Sequence, residues 1–365
     1  MNPPPDLRSI SNHFAIAGRF LDAAAYGTGH INDTYCATYD CAGKPVRYIQ
    51  QRMNHVIFKD PPALVENIRR VTEHLHRKLA GHPDALRRAL TLVPARDGRP
   101  FFQDEAGNYW RTYLFIERAR TYDAVESTTQ AFAAANAFGK FQENLADLPP
   151  PPLHVTLPGF HDTPKRFAAF EQAVAADVAG RVRLAAPEID FVLRRKPLAG
   201  LLLDLHRQGE IPERTTHNDT KLNNVMLDDA THEGICVIDL DTVMPGLALY
   251  DFGDMVRTTT NPAFEDERDL TKVRMLFPMY EALVRGYLAA AGHFLNQVER
   301  QHLAFSGKLI TLEIGLRFLT DFLMGDVYFK VHRPGHNLDR CGTQFKLVES
   351  IESQEPAMNA LVRQL

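Results

Sequence analysis

Cysteine is scarce. Cys36, Cys41, Cys236 and Cys341 are the four in 365 residues, too few and too scattered for a disulfide framework or a paired zinc motif. That scarcity fits a reducing, cytoplasmic setting. Long apolar runs are missing too: no stretch approaches the ~18 residues a membrane span requires, and the opening segment from Met1 to Asp6 has no apolar signal core. A soluble, unexported chain without a membrane partner is expected. The formal net charge is only −4, which argues against a nucleic-acid binder that works by bulk electrostatics. Repeats, heptads and low-complexity tracts are absent as well. What is present is the composition of an ordinary globular enzyme, hydrophobic 45% and charged 24%, in a length of about two domains. A small-molecule partner is expected.

Along the chain, Phe20 to Tyr39 reads as two strands joined by Gly27-Thr28-Gly29-His30, where glycines allow positive φ and a close approach of backbone N–H groups to a phosphate. An ordinary tight hairpin explains the same letters. No Lys-Ser/Thr pair follows, so it is not a Walker A loop. A third strand, Val46 to Arg52, leads to Asp60-Pro61-Pro62, a helix opening, and Leu64, Ile68, Val71 and Leu75 then recur on one helical face. Glu66 falls in the first two turns of that helix, where a solvated charge is common. Leu90–Val93, an Asp97-Gly98 turn, Phe101–Gln103, a second turn and the strand Tyr109–Ile116 follow, and together these suggest a five-stranded, largely antiparallel sheet, with a boundary near Glu117 to Tyr122. Beyond Thr128 the periodicity is helical. Helices are expected across residues 164–180, 188–208, 267–291, 297–323 and 344–361, the last interrupted at Pro356. Only Thr215 to Asp241 breaks the pattern with strands.

That interruption holds the chemistry. His217-Asn218-Asp219-Thr220-Lys221-Leu222-Asn223-Asn224 is followed by Val225-Met226-Leu227 and by Cys236-Val237-Ile238-Asp239. A strand-flanked turn of this spacing lets the polar ends of Asp219 and Asn224 converge. Asp219 can accept or orient a hydroxyl proton, Asn224 offers a hard oxygen to magnesium, and Lys221 can neutralise charge on transferred phosphoryl oxygens. The strand ending at Ile238 can deliver Asp239 as second metal ligand. Asp241 shares its face if the strand continues, so either aspartate can serve, with Asp239 preferred. Together these groups suit phosphoryl transfer from Mg-ATP to a hydroxyl. His217 reads as a residue packed under the loop and Asp251 as its brace. The pair His332 and His336, with proline and glycine between, reads as a surface loop and not a metal site.

On these residues the chain resembles the aminoglycoside phosphotransferase-like kinases, and among them it is similar to the N-acetylhexosamine 1-kinases. Further similarity lies in Gly27 to Thr34, Trp110-Arg111 through Glu117, Pro158 to Thr163, Asp239 to Gly246, Arg317 to Asp321 and Gly325 to Tyr328, so it extends over nearly the whole chain. The resemblance implies an α+β, bilobal protein-kinase-like fold. Residues 1–117 would form a small antiparallel-sheet nucleotide lobe, and residues 118–365 a larger, mainly helical lobe for catalysis and the acceptor. It implies ATP and Mg2+ as cofactors and a small sugar as acceptor, phosphorylated at the anomeric hydroxyl. Asp219 is then the base, with Asn224 and Asp239 on magnesium. Gly27 and Gly29 lie at the nucleotide, and Glu117 sits where the hinge backbone meets adenine. His30, Asp33, Arg317 and Tyr328 lie on the acceptor side, with Val243 and Thr258 shaping the pocket. Kinases of this fold usually place a lysine on the third strand; here the strand reads Tyr48-Ile49-Gln50-Gln51-Arg52. Arg52 can replace that lysine and pair with Glu66, although a planar guanidinium is not a simple substitute for an ammonium. A kinase for another small acceptor, a nucleotide-binding pseudokinase and a metallohydrolase are the competing readings.

Overall fold

The computed structural model describes residues 5–27 and 31–365. Its amino-terminal part is an antiparallel sheet of β1 (Arg19–Ala25), β2 (Asp33–Cys41), β3 (Lys44–Met53), β4 (Leu92–Val93), β5 (Phe102–Gln103) and β6 (Tyr109–Leu114). The spatial order is β1-β2-β3-β6-β4, with β5 also on β6. There are thus six strands among the described residues where five were expected. The two residues of β5 are enough to pair because Asp104 closes the hairpin, accepting from the Asn108 side chain at 3.0 Å and the Trp110 indole at 2.8 Å.

Side chains alternate across β3. Gln50 faces the short helix α1 (Leu7–Asn12), donating to the Ser11 hydroxyl at 2.8 Å, while Gln51 faces the other way. Ile10, Phe14, Tyr39 and Trp110 form the apolar core under α1. The opposite face is covered by α2 (Pro61–Lys78). Asp60 caps α2 by accepting from the Ala63 N–H at 3.0 Å, a contact worth about 1 kcal/mol. Leu64, Ile68, Val71 and Leu75 are buried beneath it, as their spacing required. A single turn, α3 (Ala85–Arg88), precedes β4.

The rest is helical around two small ribbons. β7 (Ala119–Arg120), β8 (Arg214–Thr216), β9 (Val225–Asp228), β10 (Gly234–Val237) and β11 (Met244–Gly246) pair antiparallel as β10-β9-β7 and β11-β8. The helices are α4 (Thr128–Leu145), α5 (Thr163–Ala176), α6 (Ala186–Arg195), α7 (Leu201–Arg207), α8 (Ala248–Thr259), α9 (Phe277–Ala291), α10 (Gln297–Gln301), α11 (Leu303–Leu323) and α12 (His336–Gln364). α8 lies so close to α11 that a Cβ on Gly253 would stand 2.4 Å from the Ser306 carbonyl oxygen; only glycine permits that approach.

Four helix expectations need correction, and the simplest is 297–323, which divides at His302 into α10 and α11. The stretch 188–208 is two helices, broken where Pro197 opens a 3-10 turn. The stretch 267–291 becomes α-helical only at Phe277, with Pro278 in its first turn and a separate 3-10 turn at Leu270–Lys272 before it. Pro356, by contrast, does not interrupt α12. A helix-interior proline costs about 3 kcal/mol, but Leu347, Ile351, Met358 and Leu361 on either side are buried in the main core, and that packing holds the helix through. Among the described residues, no helix is long and apolar enough to cross a membrane.

Candidate active site

The turn between β8 and β9 is a chain of satisfied backbone groups. Asp251, in the first turn of α8 and wholly buried, accepts the N–H groups of His217 at 2.9 Å and Asn218 at 2.7 Å. Gln142 of α4 donates to the same carboxylate at 2.6 Å. Asp251 therefore braces the loop, as its distance from Asp239 in the sequence suggested. His217 is packed under it: its Nε2 lies 2.9 Å from the Ile238 carbonyl, which can only accept, so the ring hydrogen sits there and Nδ1 receives the Asp219 N–H at 3.3 Å. Asn218 completes the turn in a left-handed conformation, φ +65°.

Asp219 emerges from this frame partly open to solvent. Its carboxylate lies 3.0 Å from Lys221 Nζ, and the Asn224 amide nitrogen donates to its backbone oxygen at 2.8 Å and to its carboxylate at 3.2 Å. Desolvation alone would raise its pKa, but the surrounding positive charge, Lys221 foremost, together with the Lys221 hydrogen bond holds the group below its ordinary value. Asp219 in turn raises the pKa of Lys221, which keeps its charge. The amide nitrogen of Asn224 is spent on Asp219, and the backbone of Asn224 pairs with the neighbouring strand.

That strand is β10. The Ile238 N–H donates to the Asn224 carbonyl at 2.9 Å, so Asp239 and Asn224 stand beside each other. Asp239 has φ +58° and opens a 3-10 turn at Leu240–Thr242. The strand therefore does not continue, and Asp241 does not share a face with Asp239. Their side chains part. Asp239 keeps contact with solvent, but the protein packed around its carboxylate, followed by the nearby charges of Asp241 and Asp219, pushes its pKa up to about 6. Asp241 is buried and forms an ion pair with Arg111 of β6, while Asn32 donates to its other oxygen at 2.7 Å. A dication beside Asp239 would relieve the like-charge crowding, and an amide oxygen with a carboxylate is a hard donor set suited to magnesium. Among the described residues, no three histidine, cysteine, aspartate or glutamate side chains converge as a closed metal site.

Arg111 is the residue that sequence reasoning missed. It is 1% exposed, stands opposite Gln51 in the β3–β6 register and donates to the Gln51 side chain at 3.0 Å. The buried cation of this sheet thus comes from the strand beside β3. The available signal was an arginine between Trp110 and Thr112, in a strand buried on both faces. Arg52 lies elsewhere: it pairs with Asp33 on β2, Nε to Oδ2 at 2.8 Å. Glu66 pairs with Arg69 at 2.8 Å. The expected Arg52–Glu66 pair is therefore absent, because each has a nearer partner on its own element or the adjacent strand. Glu117 pairs with Arg47, Nε at 2.9 Å, and its backbone oxygen accepts from Arg87 Nε at 3.0 Å. Gly27 has φ +78° after β1; Gly29 and His30 lie outside the described residues.

Arg317 of α11 is half-buried with the rings of Phe329, Phe160 and Tyr328 at 5.6, 5.7 and 5.9 Å. Tyr328 is 62% exposed, so it is not a core aromatic. One turn beyond Arg317, Asp321 collects the N–H groups of Val327, Tyr328 and Phe329 at 2.8–3.0 Å, fixing the turn that carries Tyr328. Asp254 of α8, paired with Arg257 at 2.8 Å, leaves its second oxygen buried without a hydrogen-bond partner among the described residues. Val243 is wholly buried and cannot line a pocket; its carbonyl accepts from Asn67 of α2 at 3.2 Å. The Thr258 hydroxyl is turned back onto the Asp254 carbonyl at 2.9 Å. His336, expected on a surface loop, is buried and bonds Asp266 at 3.0 Å.

Known proteins share this architecture. A match to the phosphotransferase enzyme family spans residues 22–305. Among solved structures, an aminoglycoside phosphotransferase from Alicyclobacillus acidocaldarius superposes with a TM-score of 0.63 at 12% identity, covering 100% of this chain and 98% of that one. A microcompartment-associated aminopropanol kinase gives 0.57 at 17%, covering 97% and 98%. A spectinomycin phosphotransferase in complex with ADP and spectinomycin gives 0.54 at 13%, with 100% of both chains covered. At these identities the structures speak for a shared fold.

Proposed function

The chain belongs to the phosphotransferase enzyme family, and from that premise we propose that it transfers the γ-phosphoryl group of Mg-ATP to a hydroxyl of a small sugar, the anomeric 1-OH of an N-acetylhexosamine. The observation that carries the transfer chemistry is the convergence of Asp219, Lys221, Asn224 and Asp239 at one turn. Asp219, kept ionised by Lys221, takes a hydrogen bond from the acceptor hydroxyl and aims its oxygen. A weakly basic carboxylate suffices because the transition state is loose and the proton moves late. Lys221 stands where charge collects on the transferred oxygens. Magnesium, when bound, neutralises the phosphates; Asn224 and Asp239 are the residues that would hold it.

The nucleotide would lie between the sheet of residues 1–117 and the helical part of residues 118–365, at Gly27 and the Glu117 backbone. Arg111 supplies the buried cation on that side. The sugar reading rests on the sequence resemblance together with Arg317 beside Tyr328 and Phe160: an aromatic face and a guanidinium suit a ring with hydroxyl and amide substituents. The unpartnered oxygen of Asp254 favours a second reading, an acceptor bearing an ammonium group. ADP release measured over a panel of N-acetylhexosamines, other sugars, amino alcohols and aminoglycosides decides between them. The sugar reading predicts a 1-phosphate product, and the absence of turnover with every 1-hydroxy sugar would overturn it.

A further inference from the structure

His161, in the loop before α5, and Glu313, in the middle of α11, are 6% and 0% exposed. His161 Nδ1 lies 2.8 Å from Glu313 Oε1, and the Thr163 hydroxyl donates to the other carboxylate oxygen at 2.5 Å. His161 Nε2 lies 3.0 Å from the carbonyl oxygen of Asn218. A carbonyl only accepts, so Nε2 carries a hydrogen. That carbonyl belongs to the peptide immediately before Asp219.

The left-handed conformation of Asn218 is one that a residue with a side chain keeps only where its surroundings over-determine it. Asp251 holds the N–H groups on the near side of that residue, and His217 receives the N–H of Asp219. Among the described residues the Asn218 carbonyl has one partner, His161. Around the imidazole stand Glu313 from α11 and, from α8, Asp254 and the Tyr250 ring with its centroid 5.0 Å away.

We propose that His161, fixed by Glu313 and Thr163, is a positioning residue whose Nε2–H bond to Asn218 sets the peptide that aims the Asp219 carboxylate, and whose link to α11 holds that carboxylate in register with Arg317 one turn further on. The inference rests on Asp219 having the role given above, and it deepens that reading.

Two substitutions split the imidazole into its halves. In His161→Gln the amide nitrogen stands near the place of Nε2 and can still donate to Asn218; in His161→Asn it stands near Nδ1 and reaches only Glu313. His161→Asn is expected to lower kcat by about 100-fold, the scale of a catalytic group displaced by an ångström, with the KM values for ATP and acceptor nearly unchanged. His161→Gln recovers most of kcat. Amide hydrogen exchange over residues 214–224 is expected to quicken in His161→Asn and to stay near wild type in His161→Gln. If His161→Asn does not fold, Thr163→Val, which loosens Glu313 from one side, is expected to show a smaller fall in kcat at constant KM. Equal kcat and equal exchange in the Gln and Asn variants, or no effect of Thr163→Val, would overturn the proposal. A wild-type protein that phosphorylates no acceptor brings down the functional reading by itself, and the exchange comparison still decides on His161.

Discussion

Exposed charges on the sheet and on α2 and charges around the catalytic turn are built differently. Arg52–Asp33, Arg47–Glu117 and Glu66–Arg69 are solvent-exposed pairs, each partner replaceable by water, and pairs of that kind contribute about 0–1 kcal/mol. Arg111–Asp241, His161–Glu313 and the carboxylate of Asp251 are enclosed and hydrogen-bonded. There, loss of one partner strands the other in a medium that cannot solvate it. The first set can rearrange when a ligand arrives. The second set fixes geometry before it does.

The largest test of this contrast is Asp219→Asn. Removing the proton acceptor while the frame stays intact is expected to reduce kcat by about 100- to 10,000-fold, with ATP binding by calorimetry retained. Turnover near wild type would mean that the frame presents some other group. Arg111→Met comes next. It leaves the Asp241 carboxylate buried and unpaired, at a cost of about 3–5 kcal/mol in unfolding free energy, measured by denaturant titration. The double variant with Asp241→Asn should recover part of that loss, and no recovery would show that the pair is not the reason for the cost.

A smaller effect is expected in pH dependence. Burial lowers the His161 pKa but Glu313 outweighs it and raises the group above its ordinary 6.5. Burial raises that of Glu313, and His161 outweighs it and lowers the group below 4.5. A raised histidine stabilises fully below 6.5 and loses that contribution as pH rises through the folded value. A lowered carboxylate stabilises above 4.5 and loses its contribution as pH falls. The melting-temperature gap between wild type and Glu313→Gln should therefore be widest near pH 5–6 and close toward alkaline pH; a flat gap would deny that the pair is ionic. Smallest of all, Arg52→Gln is expected to change stability by less than about 1 kcal/mol. A larger loss would place Arg52 with the buried set and break the comparison.

The same contrast explains what could be read in advance. Asp219, Asn224 and Asp239 announce themselves by spacing within one hairpin, and α2 by its cap and apolar period. These are local signals, and the structure brings the three side chains together. Arg111, Asn32 and Glu313 carry no local signature, because their meaning lies in partners tens or hundreds of residues away. The Arg52–Glu66 expectation failed for the opposite reason: it named two distant residues, whereas exposed charges take the nearest partner, Asp33 on the paired strand and Arg69 one turn along. The shared face of Asp239 and Asp241 depended on the strand continuing, and that condition is not met, because β10 ends at Val237.

Asn67 ties two parts of the chain with one amide. From α2 it donates to the carbonyls of His154 and Val243 and accepts the His154 N–H at 2.8 Å. By chain order α2 is an insertion between β3 and β4, yet mechanically it is bolted to the loop that follows Asp241. Any shear between sheet and helices must then leave α2 with the helices. The strain would fall on the connection of residues 54–60, where Asn54 already reaches back to Asn32, the same side chain that touches Asp241.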